Sequence, residues 1–96
     1  MPPAYHAYIL ECADGSFYTG STSNLPKRMA EHERGAHPKN YTHDRHPVTL
    51  VWQQEFPRPQ QMVEAERRIK GWTREKKIAL IEGRHEDLKQ LLKDHR

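Results

Sequence analysis

Apolar and polar positions divide this chain into short elements. Residues 5–12 form an apolar run rich in aromatic and branched side chains (Tyr5, Tyr8, Ile9, Leu10), which predicts a strand. Ala13-Asp14-Gly15-Ser16 carries an Asp-Gly turn signal, and Phe17-Tyr18-Thr19-Gly20 returns from it, so 5–20 predicts a β-hairpin. Asn24 is an N-cap residue, Pro26 suits a first helical turn, and Gly35 suits the C′ position, which bounds a helix ending near Arg34. Residues 36–47 hold two prolines and no apolar period, and so predict a loop. Val48, Leu50, Val51 and Trp52 open a third strand that runs to about Phe56, where Pro57-Arg58-Pro59 ends it. A helix over roughly 60–70 stops at Gly71, Thr73 caps another to about Glu82, and Gly83 precedes a last helix over 85–93. The order β-β-α-β-α-α-α predicts an α+β fold, with a small three-stranded, mainly antiparallel sheet flanked by helices.

Helical spacing also places polar groups on apolar faces. Residues i, i+3, i+4 and i+7 share a face. In the first helix that set is Leu25, Arg28, Met29 and His32; in the helix over 60–70 it is Met62, Ala65, Glu66 and Ile69. Glu66 falls in the apolar stripe, whereas Glu64 points away. A guanidinium, an imidazole and a carboxylate on inward stripes are costly unless they are paired or line a cleft. The plainer alternative is a structural Glu66–Arg28 salt bridge. Tyr8 and Tyr18 of the hairpin are candidates to flank a cleft, although strand aromatics are usually core.

Composition narrows the class. Ninety-six residues make one domain, which buries roughly 60–70% of its unfolded surface. Apolar residues are 34% and the mean hydropathy is -1.07, and no run approaches the ~20 apolar residues of a membrane span. The first residues show neither a basic nor an apolar signal region, so no secretory leader is expected. Cys12 is the one cysteine, so an internal disulfide is excluded and a reduced, cytoplasmic setting is the default expectation. Cys12 with His37, His43 and His46 fits no standard zinc spacing.

Charge is uneven. Residues 1–56 hold 5 basic and 6 acidic side chains, net -1; residues 57–96 hold 11 and 7, net +4. Arg67, Arg68, Lys70, Arg74, Lys76 and Lys77 fall within eleven residues, opposed only by Glu75. Such a cluster suits a polyanion, most commonly nucleic acid, or else is a solvated helix face. Trp52 and Trp72 read as packing residues.

Ala7-Tyr8-Ile9, Tyr18-Thr19-Gly20, then Arg28, His32 and the run Ala65-Glu66-Arg67-Arg68-Ile69-Lys70 resemble the signature of the GIY-YIG nucleases, in order and at matching spacing. The resemblance covers about residues 5–81 and is greatest to the small stand-alone bacterial members, with which Lys70-Gly71-Trp72 and Lys76-Lys77 are also shared. It assigns residues 1–83 to the nuclease-like unit, with 84–96 a terminal helix of the same domain. Ala7 stands for a glycine, Thr19 for an isoleucine, and Ser21 where some repair nucleases carry a lysine.

The resemblance implies a metal-dependent endonuclease acting on DNA. Glu66 matches the metal ligand, with Mg²⁺ or Mn²⁺ as the cofactor. Arg28 matches the group that stabilises phosphate charge. Tyr8 and Tyr18 would hold the attacking water, and a base role for either needs a pKa depressed from about 10. His32 would relay a proton. Lys27, Tyr41, Arg67, Lys70, Arg74, Lys76 and Lys77 are the expected nucleic-acid contacts, and the histidine loop is a further candidate. The expected state is a monomer or weak homodimer. Two alternatives remain at this level: a nucleic-acid-binding module with weak or lost catalysis, and a protein adaptor using Leu88, Leu91 and Leu92.

Overall fold

A computed structural model of the chain describes residues 4–35 and 41–93. The hairpin forms as β1 (Tyr5–Glu11) and β2 (Phe17–Thr22). Gly15 takes the left-handed conformation at φ 83° and donates its N–H to the Cys12 carbonyl at 2.9 Å. Asp14 completes the turn by accepting from the Ser16 N–H at 3.0 Å. Only Gly15 of the Asp-Gly pair is left-handed, and residues 12–16 join the strands, so the turn is a longer connection and not the two-residue primed type. β2 runs to Thr22, two residues beyond Gly20, because β1 keeps pairing with it through His6.

The third strand, β3 (Thr49–Phe56), pairs with the other side of β1, giving an antiparallel sheet of order β2-β1-β3. A bulge between Ile9 and Leu10 skips Val51, since Ile9 faces Trp52 and Leu10 faces Leu50. β1 is therefore the central strand, and Ala7, Tyr8, Ile9 and Leu10 are all fully buried. A strand covered on both faces needs an unbroken apolar run, and 7–10 supplies it.

Alternation sorts the side chains between faces. Tyr8 and Leu10 pack with Leu25, Tyr18, Met29, Val48 and Leu50, on the side of α1 (Leu25–Arg34). Ala7 and Ile9 point to the side of α2 (Pro59–Lys70), which lies on β1 and β2. α3 (Arg74–Ile81) touches β3, and α4 (His85–Lys93) packs on α3. The caps explain the helix bounds. Asn24 accepts from the Lys27 N–H at 3.1 Å, Thr73 accepts from Lys76 N–H at 3.4 Å, and Pro59 opens the first turn of α2.

Histidines close the other end of α1. His43 Nδ1 lies 3.2 Å from the Gly35 carbonyl, and His46 Nε2 sits on the His32 carbonyl. The Gly35 N–H also reaches the His32 carbonyl, at 3.2 Å, and the imidazoles add further partners at this helix end. His43 and His46 thus help to close α1; His37 lies outside the described residues.

Thr19 is 2% exposed and faces the α2 side beside Ile9, and its hydroxyl has no hydrogen-bond partner among the described residues. A buried unpaired hydroxyl costs about 1–3 kcal/mol. Thr19→Val keeps the shape and removes the hydroxyl, so the variant is expected to be more stable by about 1 kcal/mol in urea denaturation. An unchanged or lower midpoint would contradict this.

Candidate active site

The candidate residues gather at the outer edge of β2, where α1 and α2 approach it from opposite faces. Gly20 makes this possible. A Cβ at Gly20 would lie 2.5 Å from the Tyr8 hydroxyl and 3.1 Å from the Tyr18 ring. Tyr8 therefore crosses over β2, and only a residue without a side chain lets it pass. Its hydroxyl reaches His32 Nε2 at 3.1 Å, and His32 Nδ1 lies 2.7 Å from Thr42 Oγ1. The imidazole is 3% exposed and edge-on to both tyrosine rings, with centroids 6.0 Å from Tyr8 and 5.3 Å from Tyr18.

Arg28 extends from α1 along the β2 edge. Its Nη1 approaches the Ser21 carbonyl at 3.5 Å, its Nε pairs with Glu31 at 3.3 Å, and its charge acts on the Tyr8 hydroxyl. Glu66 arrives from α2. Ser21 Oγ donates to Glu66 Oε1, and Lys70 Nζ donates to Oε2 at 2.8 Å. The Glu66–Arg28 bridge expected as the structural alternative does not form: each takes another partner, on opposite flanks of Ser21. The stripe itself is as expected, since Ile69 is buried, Met62, Ala65 and Glu66 are half-buried, and Glu64 is exposed.

The electrostatics follow from this packing. Burial pushes the Tyr8 phenol up to about 12, the charge of Tyr18 adds to this, and the Arg28 guanidinium opposes it without winning. The depression that a tyrosine base requires is thus absent, and Tyr8 is a phenol at neutral pH. At Glu66 burial acts upward, but donors from Lys70 and Ser21 and the nearby Arg28 charge outweigh it, and the carboxyl falls below its usual range. Ser21 links the two sides of this edge, with its carbonyl near Arg28 Nη1 and its hydroxyl on Glu66.

The expected nucleic-acid contacts divide. Tyr41 is 40% exposed and stacks on Tyr18, with centroids 6.1 Å apart at 25°. Arg45, which the sequence did not single out, lies 4.0 Å over the Tyr41 ring and pairs with Asp14. Lys27 and Arg67 are exposed, and Lys76 is half-buried. Lys70 is held by Glu66. Arg74 donates to the Gly15 carbonyl at 2.7 Å and lies over Phe17, so it ties α3 to the hairpin. Burial, then the Lys70 charge, lowers the Lys77 ammonium, so it is not a fully solvated cation. Trp52 and Trp72 are half-buried and line a groove instead of a core. Thr42 and Arg45 sit in a loop without apolar period, which gave no signal for them.

Two tyrosines, an arginine and a glutamate thus stand near one edge of an antiparallel sheet. The family profile described as the GIY-YIG catalytic domain matches residues 4–79, and the chain belongs to this family of nucleases. It is 43% identical over 79 residues to a UPF0213 protein of Streptococcus sanguinis, covering 82% of this chain and 90% of that one. A UPF0213 protein of Halobacterium salinarum is 42% identical over 77 residues, covering 80% of this chain and 99% of its own. The solution structure of a UPF0213 protein from Bacillus halodurans superposes with a TM-score of 0.55 at 37% identity, over 82% of this chain and 83% of the other.

The buried phenol generates a pH prediction. The folded chain holds the Tyr8 proton up to about 12, whereas the unfolded chain releases it near 10. The unfolded state binds fewer protons across this window, so stability falls as pH rises from 10 toward 12. Tyr8→Phe removes this contribution, worth about 2 kcal/mol at the top of the window. Thermal melts of both proteins from pH 8 upward should show the parent losing more stability; parallel curves would contradict it.

Proposed function

We propose that the chain is a divalent-metal-dependent endonuclease that hydrolyses phosphodiester bonds in DNA, in repair, recombination or related processing. The observation that carries this reading is Glu66: an ionised carboxylate on the inward stripe of α2, set beside Arg28 and Tyr8 at the β2 edge. The donor set fits Mg²⁺ or Mn²⁺. One carboxylate and neighbouring hydroxyls are hard oxygen donors, and such ions keep several waters and take substrate phosphate as ligands.

When bound, the ion supplies Lewis-acid polarisation of the scissile phosphate. The chain does the rest. Ser21 Oγ fixes one Glu66 oxygen and leaves Lys70 as the exchangeable partner of the other. Lys70, displaced from Glu66, becomes a phosphate contact. Arg28 presents its guanidinium to the charge that develops on the phosphate oxygens. Tyr18 and Tyr8 orient the attacking water. Tyr8 is protonated, so it takes a proton only by passing its own to His32 Nε2, 3.1 Å away. His32 is assigned the tautomer with the proton on Nδ1, donated to Thr42 Oγ1, so that Nε2 is the acceptor facing the Tyr8 hydroxyl. The water proton thus moves to Tyr8 Oη as the Tyr8 proton moves to Nε2.

Glu66→Gln keeps the shape and removes the charge that attracts a divalent ion. Cleavage of labelled DNA in Mg²⁺ should fall on the order of 10²-fold or more, with binding in EDTA retained. Glu64→Gln, on the exposed side, should cleave at the parent rate. A folded Glu66→Gln protein with parental cleavage overturns the metal assignment.

A further inference from the structure

The other flank of α2 carries a groove that the proposed reaction does not use. It has a volume of about 260 Å³ and opens between β3, α2, α3 and α4. Trp52 and Phe56 from alternate positions of β3 and Trp72 after α2 supply three aromatic walls; Ile69 and Leu80 form apolar surface, and Arg68 stands at the wall. None of the lining residues is acidic. Both tryptophans are only half-buried, so their rings are presented and not consumed by packing. Arg67 and Arg68 are adjacent exposed cations on the same helix. Neither lies in an ion pair among the described residues.

We propose that this groove is a stacking site for an unpaired nucleobase, and that the chain therefore acts on DNA with single-stranded character. The inference rests on the reading of the chain as a DNA endonuclease and adds the form of its substrate. Every base has two π-faces, and aromatic side chains bind them without reading sequence. The backbone of the stacked nucleotide is anionic, which Arg68 at the wall and Arg67 beside it complement. Gln54 lines the groove as well and offers an amide donor and acceptor to a base edge. A blunt duplex keeps its bases stacked inside the helix and presents no such face. A second copy of the chain is the weaker occupant. A two-fold contact centred here would bring Arg68 toward Arg68, with no acidic lining residue to pair either.

The geometry links groove and site. α2 is about 10 Å across with its side chains. Ala65, Arg68 and Ile69 face the groove from one flank of the helix, and Glu66 faces β2 from another. A strand laid along the basic surface of α2 can hold one nucleotide in the groove while a neighbouring phosphate lies at Glu66.

The chain has two tryptophans and both line this groove, so tryptophan emission reports its occupancy directly. The experiment titrates the full chain in EDTA with a short oligothymidylate, and separately with a blunt duplex of equal length. Tryptophan emission and the anisotropy of labelled DNA are followed together. The expected result is emission quenched in step with oligothymidylate binding and unmoved by the duplex. Arg68→Glu should weaken oligothymidylate binding on the order of 10-fold. Binding of oligothymidylate without quenching, or equal quenching by the duplex, overturns the stacking site and leaves the nuclease reading intact. Emission that depends on protein concentration alone, with a dimer in sedimentation, assigns the groove to a second copy and overturns it too. Absence of any DNA binding by anisotropy strikes the nuclease reading itself.

Discussion

Tyr8 lying across Gly20 is the contact on which the rest of the site depends. β1 is buried on both faces, and a large side chain there would ordinarily end in the core. Because Gly20 has no Cβ, the Tyr8 ring passes over β2 and its hydroxyl reaches the β2 edge while staying buried. There it meets His32 and Arg28 of α1, and comes within the field of Glu66 from α2. A side chain at Gly20 would displace the hydroxyl and separate these groups. The final glycine of the Tyr18-Thr19-Gly20 motif thus has a steric reason for its identity.

A second balance sits around Glu66. Its carboxylate is satisfied on one side by Ser21, a fixed strand hydroxyl, and on the other by Lys70, a flexible lysine on its own helix. The pair keeps the carboxyl ionised at neutral pH while leaving one oxygen open to exchange. Surface pairs of this i, i+4 type contribute little to stability, about 0.3–0.5 kcal/mol, so displacing Lys70 costs the fold little. Ser21 is short enough to hold Glu66 without adding a charge, where a lysine would compete for the same carboxylate.

Much of this was legible in the sequence. All three strands and four helices follow from apolar runs, caps and glycine stops, and the helical stripes separated Glu66 from Glu64. The order β2-β1-β3 was not legible, because local patterns do not say which strand is central; the fully apolar 7–10 run is its trace. Partner choice was also hidden. Helical spacing put Arg28 and Glu66 on inward faces, but strand β2 lies between them, so Arg28 pairs with Glu31 and Glu66 with Lys70. The basic cluster is less uniform than its charge count suggested, since Arg74 packs on Phe17 and Lys77 is partly buried. Thr42 and Arg45 reach the site from an aperiodic loop, where no pattern marks them.

The central claim is that a divalent ion binds at the β2 edge through Glu66. Paramagnetic broadening by Mn²⁺ in the amide NMR spectrum tests it without relying on turnover. Added at substoichiometric level with an uncleavable DNA analogue, Mn²⁺ should broaden the Ser21 and Glu66 amides first and spare the far end of β3. Broadening centred instead on the histidine loop at His43 and His46, with Ser21 and Glu66 sharp, would contradict the account.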